Sequence, residues 1–491
     1  MSTFGRTAPP PTGKLNPTAQ MPVLCVDLDG TLIKTDLLWE CVVFLLKARP
    51  WVLLLVPLWL LQGRAVLKRK LSERVDLNPD TLPYRDDVLE FLSAQKQTGR
   101  TLILVTAAEA RLADKVARHV GLFDQVYGTE DNTNLKARAK VDLLTSKFVE
   151  GFEYIGDSNS DLSVWKAARA GYVVGNKKLA RRAASVTSVK QVFAVQTPTL
   201  RTWVRALRGH HWAKNVLIFL PLFLAHKVQL YPWLMSCAGF VLFGLCASSL
   251  YLLNDLLDLH SDRAHPWKSA RPLAAGETSI QSGLFVSLSL ITVALSLGFL
   301  FSVSFGVVLS MYALLTLWYS LQIKRVVLLD VFVLSSFYTI RIWAGGLISG
   351  TFLSQWFLAF SLFFFLCLAM AKRYSELLHA EELIKSGNSG RGYRASDRDL
   401  ISTLGVGSCF SAVVIFALYV HSQEVLSLYR RPTPLLLICP VILYWLSRVW
   451  LRAHRGELHE DPVTLAMRDP VSYLLAAVTL GLIALTMVKL G

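Results

Sequence analysis

A chain of 491 residues that is 53% hydrophobic, with a mean hydropathy of +0.43, is too apolar to be soluble throughout, so we expect part of it to face lipid. Its formal charge of +16 is spread over loops between apolar runs, which favours an anionic membrane surface and phosphorylated substrates over nucleic acid. The seven cysteines show no CxxC spacing, which indicates reduced thiols and argues against disulfides or a zinc site.

The chain opens with residues 1–20, which are rich in Pro, Thr and Ser and lack the apolar core of a signal peptide. This composition predicts a disordered cytoplasmic tail. A first domain is expected at 21–195, because short apolar strands alternate there with helical stretches and several strands end in polar residues. That pattern is typical of an α/β doubly wound parallel sheet, which binds ligands at the carboxyl ends of its strands. The polar residues concerned are Asp27, Asp29, Thr106, Asp157 and Asp161.

In order along the chain, Asp27-Leu-Asp29-Gly-Thr, Thr106, a lysine and Asp157-Ser-Asn-Ser-Asp161 resemble the four motifs of haloacid dehalogenase-type phosphohydrolases, which have a Rossmann-like fold with a helical cap. The resemblance implies that Asp27 is the nucleophile that forms an aspartyl phosphate. Asp29 is then the acid that protonates the leaving oxygen and later activates water. The alternative is that these aspartates act only as turn formers and helix caps.

The same resemblance implies that Thr106 and a lysine hold the transferring phosphoryl group. Lys140 is favoured over Lys136, because Lys140 begins the helix that precedes the Asp157 strand. It also implies a Mg²⁺ site, whose expected ligands are Asp27, Asp29, Asp157 and Asp161.

A cap is expected at about 36–80, between the first two motifs. It contains the apolar segment Trp51 to Leu61, which is too short to cross about 30 Å of hydrocarbon as a helix. Tryptophans and basic flanks favour a segment lying in the membrane interface; the alternative is a buried cap helix. Such a cap suits a phosphatase that acts on a lipid-borne phosphate.

A basic linker at 196–211 leads to the second domain, 212–491, which we expect to be all-α and polytopic. Apolar runs of helical length predict about nine membrane spans. By the positive-inside rule, the connection 254–281 and the charged connection that holds Lys372 should face the cytoplasm together, with Lys324 and the first domain on the same side. The predicted spans are 212–228, 231–253, 282–302, 304–322, 328–349, 353–371, 402–421, 433–452 and 470–488.

Three aspartates stand where the second apolar run ends. Asp255, Asp258 and Asp262 are three and then four residues apart, so on one continuous helix they share a face and can hold a hard cation together. Acids beside a membrane are costly unless a metal or substrate neutralises them. The alternative is a solvated helix end outside the bilayer.

The stretch Asn254-Asp255-x-x-Asp258-x-x-x-Asp262, followed by Arg271-Pro272, resembles the first aspartate-rich motif of UbiA-type intramembrane prenyltransferases. Within that superfamily, residues 200–491 show a closer likeness to decaprenyl-phosphate phosphoribosyltransferases, through the stretch 208–215, Asp330 with Arg341, and Lys372-Arg373-Tyr374. The resemblance implies a Mg²⁺ ion on the three aspartates that binds the pyrophosphate of phosphoribosyl pyrophosphate. The substrate-binding residues implied are Lys214, Asn254, Lys268, Arg271, Lys324, Arg341, Lys372, Arg373 and Tyr374.

Two further residues lie in the run 328–349. Arg341 falls inside an apolar helix, so it should face a cavity and pair with an acid or a phosphate. Asp330 is either a helix cap or a ligand.

After the 353–371 run, Lys372-Arg373-Tyr374 stands where related prenyltransferases carry a second acidic cluster, which argues against a prenyl diphosphate held by two metal sites.

Together the two resemblances predict a bifunctional enzyme of the bacterial cytoplasmic membrane. It would transfer 5-phosphoribose to a polyprenyl phosphate and then remove the 5-phosphate, giving the lipid-linked ribose used for an arabinose or ribose donor. Two alternatives remain: a prenyltransferase that uses a polyprenyl diphosphate and a small acceptor, and a first domain that is only a regulatory or docking module. The sequence leaves open the polyprenyl length and the oligomeric state, including a homo-oligomer.

Overall fold

The computed structural model divides into two compact units, which are built from interleaved stretches of chain. Unit 1 comprises Met1–Thr202 and Leu257–Gln281, and unit 2 comprises Trp203–Leu256 and Ser282–Gly491. This division differs from the single domain boundary predicted at 196–211, because residues 257–281 pack with the N-terminal stretch. We call residues 257–281 the aspartate loop. The structure describes residues 21–130, 135–383, 392–429, 431–458, 465 and 468–487, with backbone alone at 379–383 and 487, so the predicted tail 1–20 lies outside it.

Six parallel strands form the sheet of unit 1, in the order β3-β2-β1-β4-β5-β6. The chain builds outward from β1 to β3 and then returns to β1's other side with β4. The predicted doubly wound sheet is confirmed, and its topological switch point lies between β1 and β4. The strands are β1 (Val23–Val26), β2 (Leu102–Glu109), β3 (Gln125–Thr129), β4 (Phe152–Gly156), β5 (Ala170–Gly175) and β6 (Val189–Ala194).

Helices cover both faces of the sheet, because side chains alternate along each strand. In β1, Leu24 and Val26 enter one apolar core, while Cys25 enters the core on the other face with Tyr154 and Trp165. Burial on both faces explains why the strands read as continuous apolar runs. The helices of this part are α1 (Leu37–Ala48), α2 (Val56–Leu61), α3 (Arg64–Ser72), α4 (Asp86–Gln97), α5 (Ala110–Val120), α6 (Arg138–Lys147), α7 (Leu162–Ala167) and α8 (Lys177–Ala184).

The cap segment is not one helix. A 3-10 helix, Pro50–Leu55, runs into α2, which has a proline in its first turn. Trp59 is buried, and the Arg74 guanidinium lies over it, 4.8 Å from the centre of the Trp59 ring. Leu54 and Leu61, by contrast, are more than 80% exposed. One side of the segment therefore packs on unit 1, and the other presents a bare apolar surface.

Unit 2 is helical, and seven helices in the described part of the chain are long and apolar enough to cross a membrane. The prediction of about nine spans is not confirmed. The apolar part of the last helix, Pro470–Thr486, is shorter than the seven, and residues 212–228 do not form a spanning helix at all. The remaining helices are α9 (Leu200–Ala206), α10 (Leu220–Leu224), α11 (Leu230–Leu257), α12 (Leu259–Arg263), α13 (Ile280–Phe301), α14 (Val303–Leu321), α15 (Leu329–Ile348), α16 (Gln355–Leu383), α17 (Arg398–Val420), α18 (Gln423–Leu428), α19 (Ile438–His454) and α20 (Pro470–Met487).

The stretch predicted as the first span is instead a 3-10 helix, Gly209–Phe219, followed by the short α10. It packs against α15 so closely that a Cβ at Gly345 would lie 2.1 Å from the Ile218 carbonyl oxygen. Its apolar residues are thus used for packing inside unit 2, which explains why hydropathy alone suggested a span.

Candidate active sites

Three aspartates meet at the edge of the sheet where β1 and β4 end. Carboxylate oxygens of Asp27, Asp157 and Asp161 all lie within 4.8 Å of one another, and no other such group of acids, histidines or cysteines occurs among the described residues. Gly30 allows this approach, because it has a φ of +76° and a Cβ there would lie 2.1 Å from Asp157 Oδ2. The sheet topology thus gathers acids that are far apart in sequence.

A buried lysine faces this group. Lys140 Nζ lies 3.0 Å from Asp27 Oδ1 and donates to the Tyr154 hydroxyl at 2.9 Å, whereas Lys136 lies exposed at the mouth of the cavity above. The geometry therefore favours Lys140 as the lysine that contacts a phosphoryl group on Asp27.

Asp161 is fixed by three donors. The Tyr154 hydroxyl donates to its Oδ1 at 2.9 Å, and the Ser158 backbone N–H and hydroxyl donate to its Oδ2 at 3.0 and 2.8 Å. The hydrogen bonds of Tyr154 thus link Lys140 to Asp161. Sequence reasoning missed this tyrosine, because an aromatic residue within an apolar strand reads as core.

Asp29 lies outside the three-carboxylate group, although we predicted it as a metal ligand. Its Oδ1 accepts a hydrogen bond from the Leu37 backbone N–H at the start of α1, at 2.9 Å. Thr106 is fully buried in β2, and its hydroxyl accepts a hydrogen bond from the Ala108 N–H at 3.0 Å. Asp29 lines the cavity above the site and Thr106 does not.

Burial raises the pKa of three acids that line this cavity, Asp27, Asp29 and Asp157. Burial raises the pKa of Asp27, although the positive charge of Lys140 lowers it in part. The pKa of Asp157 is raised well above 3.8, first by burial and then by the negative charge of Asp27. The pKa of Asp29 is raised well above 3.8 by burial and then by Asp36. Crowded acids of this kind are what a bound divalent cation stabilises, and three carboxylate oxygens fit the oxygen preference of Mg²⁺.

Two of the predicted transferase aspartates lie in the aspartate loop, within unit 1. Asp258 accepts from Lys47 Nζ at 2.9 Å, and Asp262 accepts from Arg271 at 2.5 Å. The prediction that all three aspartates lie on one continuous helix is wrong. The backbone turns at Asp258, where α11 ends and the five-residue α12 begins. Lys268, on the same loop, is exposed.

Asp255, in unit 2, is buried and forms an ion pair with Arg208. Arg208 also lies over the Tyr251 ring, 5.3 Å from its centre. Asn254 precedes Asp255 on α11 and is partly buried. Each of the three predicted metal-binding aspartates is thus held by a different cation.

Arg341 is buried in unit 2 without an acidic partner in the described part of the chain, although we predicted that it pairs with an acid or a phosphate. It donates to Asn215 Oδ1 at 3.0 Å, to the Tyr312 hydroxyl at 3.0 Å and to the Phe337 carbonyl at 2.6 Å. Lys214 lies 5.4 Å from the centre of the Tyr338 ring. Aromatic rings and neutral oxygens therefore surround the Arg341 guanidinium, and the Lys214 ammonium lies over an aromatic ring.

Asp330 is fully buried and bonded by Arg373 and by the Tyr393 hydroxyl, so its carboxylate is neither a helix cap nor an open ligand. Arg373 also contacts Glu376, which leaves its guanidinium engaged by two acids. The Tyr374 hydroxyl is hydrogen-bonded to His454 Nδ1 at 2.9 Å. The other predicted cations, Lys324 and Lys372, are partly buried.

The comparisons with known proteins agree with both resemblances. The profile of the UbiA prenyltransferase family matches residues 215–468, and that of the haloacid dehalogenase-like hydrolases matches residues 24–166. The chain is 38% identical over 463 residues to the protein y4nM of Sinorhizobium fredii, covering 93% of this chain and 89% of that one. It is 30% identical over 282 residues to the decaprenyl-phosphate phosphoribosyltransferase of Mycobacterium tuberculosis, covering 56% and 90%. A solved UbiA homolog from Archaeoglobus fulgidus bound to GPP and Mg²⁺ superposes with a TM-score of 0.45 at 16% identity, covering 58% and 99%.

Proposed function

Because the chain belongs to the UbiA prenyltransferase family and carries a haloacid dehalogenase-like domain, we propose that it performs two consecutive steps on a polyprenyl phosphate. First, the UbiA domain transfers 5-phosphoribose from phosphoribosyl pyrophosphate to the lipid phosphate and releases pyrophosphate. Second, the haloacid dehalogenase-like domain removes the 5-phosphate. The relative named decaprenyl-phosphate phosphoribosyltransferase supports the first step, since the match spans most of its length.

The arrangement around Asp27 carries the second step. An Asp27 carboxylate oxygen attacks phosphorus in line, the bond from phosphorus to the ribose oxygen breaks, and Asp29 gives its proton to that oxygen. Asp29 then takes a proton from water, whose oxygen attacks the aspartyl phosphate and releases inorganic phosphate. The raised pKa of Asp29 suits this role, since the group must hold a proton before the first attack.

Lys140 is placed to stabilise the charge on the transferring phosphoryl group, because its Nζ lies beside the attacking carboxylate. Asp27, Asp157 and Asp161 are proposed to hold Mg²⁺, which when bound screens the phosphate oxygens from the incoming carboxylate. Tyr154 and Ser158 keep the Asp161 carboxylate oriented.

In the first step, an oxygen of the lipid phosphate attacks C1 of ribose while the bond from C1 to pyrophosphate breaks. We assign recognition of the pyrophosphate, with Mg²⁺, to the motif Asp255, Asp258 and Asp262, and stabilisation of anionic phosphates to the cations predicted beside it. In the structure each of these acids binds a cation, so occupation by a metal requires that those partners be exchanged.

We place the enzyme in the bacterial cytoplasmic membrane with both sites facing the cytoplasm. The candidate spans support a polytopic protein, and the basic connection at Lys324 and Arg325 supports this orientation by the positive-inside rule. Phosphoribosyl pyrophosphate, a charged donor made in the cytoplasm, would then reach the first site without crossing the bilayer.

The proposal is tested by incubating the purified protein with phosphoribosyl pyrophosphate, a polyprenyl phosphate and Mg²⁺, and identifying lipid products by mass spectrometry. Asp27→Asn should accumulate the 5-phosphorylated lipid, and Asp255→Asn should abolish both products. The exposed residues Asp142 and Asp399, changed to Asn, serve as matched controls in the two domains. Dephosphorylated lipid from the Asp27→Asn protein would refute the coupling of the two steps.

The family description itself favours one alternative, prenyl transfer from a polyprenyl diphosphate to a small acceptor. Release of pyrophosphate distinguishes the two reactions. The proposal requires pyrophosphate release with phosphoribosyl pyrophosphate and polyprenyl phosphate, and none with polyprenyl diphosphate as the donor.

A further inference from the structure

The cavity above Asp27 is larger than a phosphoryl group requires. It has a volume of about 410 Å³, within the usual range for small-molecule sites. The acids of the sheet edge form its floor, and residues of the cap form much of its wall. The site therefore has room for the group that carries the phosphate, and the lining beyond the floor should reflect the chemistry of that group.

Two cations at the mouth take no part in the chemistry on the floor. Arg64 and Lys136 both line the cavity and are exposed, one from the cap and one from the loop before α6. Among the residues that the structure describes, no ion pair involves either side chain. Arg64 is also the first residue of α3, and Lys136 stands two residues before α6; neither helix has an acid in its first turn, and a cation near a helix N-terminus is unfavourable for the helix. Helix stability therefore does not explain their placement.

The rim beside Arg64 is apolar. Leu60 lines the cavity and is 50% exposed, and Leu58 and Leu61 next to it on α2 are 53% and 87% exposed. A substrate that fills the mouth would thus meet cations and an apolar surface side by side. A phosphate diester attached to a hydrocarbon chain presents both features.

We propose that Arg64 and Lys136 form a second anion subsite, which binds the phosphodiester of a lipid-linked phosphate monoester while Leu60 contacts the start of its apolar chain. The inference rests on the proposed function, whose intermediate has a monoester at one end of ribose and a diester to the lipid at the other. It predicts that the phosphatase step is selective for substrates that carry a second anion besides the phosphate monoester.

The test compares three substrates: the polyprenyl-phosphoryl 5-phosphoribose, ribose 1,5-bisphosphate, which keeps the second phosphate without a chain, and ribose 5-phosphate, which lacks it. Arg64→Gln and Lys136→Gln should each lower kcat/KM about 10-fold for the first two substrates. This loss is at the low end of the range expected when a hydrogen bond to a charged group is removed. Both should leave ribose 5-phosphate unchanged. Leu60→Ser should affect the lipid-linked substrate alone.

Neighbouring cations that do not line the cavity provide matched controls: Arg69→Gln on α3 and Arg138→Gln on α6 should change none of the three. An equal loss on all three substrates, or no loss on any, would overturn the subsite. If only the lipid-linked substrate responds to Arg64→Gln and Lys136→Gln, the cations recognise the membrane surface and the subsite is also refuted. A wild-type protein that hydrolyses the two soluble substrates but not the lipid-linked one refutes the proposed function instead.

Discussion

The Arg263 guanidinium donates two hydrogen bonds to the Glu40 carboxylate, at 2.8 and 3.1 Å, and both side chains are buried within unit 1. The Thr35 hydroxyl donates a third, at 2.6 Å. Glu40 lies in α1, and Arg263 is the last residue of α12 in the aspartate loop. Since a fully buried carboxylate is stable only when it is paired, this contact fixes the loop to α1.

Glu40→Ala should therefore loosen the aspartate loop. Removing one partner of a buried ion pair typically costs about 3 kcal/mol or more, since the other charge is left uncompensated. We expect faster trypsin cleavage at the exposed Lys268 and a lower melting temperature in detergent. Glu73→Ala removes a carboxylate whose contacts with Lys70 and Arg74 are longer and more exposed, and it should leave both readouts near wild type.

Gly30→Ala should inactivate the phosphatase step. Its Cβ would overlap Asp157 Oδ2, and displacing a catalytic carboxylate by about 1 Å can cost about 100-fold in rate. Hydrolysis of an aryl phosphate with Mg²⁺ measures this loss. Gly99→Ala is the control, because Gly99 has a similar φ of +79° but open space around its Cα. Equal activity of the two variants would contradict the close packing of Asp157 on Gly30.

A variant of Arg373 distinguishes a structural role of this residue from a substrate-binding one. Because it is buried against Asp330, Arg373→Met should lower the melting temperature strongly, and adding Asp330→Leu should restore much of it. If Arg373 instead bound a substrate phosphate, the single variant would raise KM with an unchanged melting temperature. Arg455→Met, at an exposed position after α19, controls for the loss of a basic residue in unit 2.

Stability at low pH should depend on Glu153. Burial alone raises the pKa of this carboxyl, but hydrogen bonds from Lys190 and Arg100 outweigh it and hold the pKa below 4.5. A depressed folded-state pKa stabilises the protein above the unfolded value, and this contribution is lost as the pH falls through the folded value. The melting temperature of Glu153→Gln should therefore fall less between pH 6 and pH 4 than that of wild type. Glu90→Gln, at an exposed position, should keep the wild-type slope.

The fold of unit 1 and the meeting of Asp27 with Asp157 were predictable because their signals are local. The runs of β1 and β4 are apolar throughout, and Asp27 and Asp157 follow them directly, so parallel pairing brings the two acids together. Tyr154 was not predictable, since its role depends on which neighbours its hydroxyl meets across the core.

The membrane half was harder to predict from hydropathy. Residues 212–228 are apolar because they pack on α15, which only the close contact at Gly345 reveals. The break of the helix at Asp258 has no proline or glycine to mark it. Two of the cations that pair with the three aspartates come from distant positions, Lys47 for Asp258 and Arg208 for Asp255, which a reading of the motif alone does not identify.

Unit 1 is built from two separate stretches of chain, and this limits where the protein can be truncated. A fragment ending at Thr202 keeps all six strands but loses Arg263, so truncation there removes the guanidinium that is paired with Glu40. A version of the haloacid dehalogenase-like domain without the membrane helices would need residues 257–281 joined to it by a linker, or Glu40 exchanged for an apolar residue of similar size.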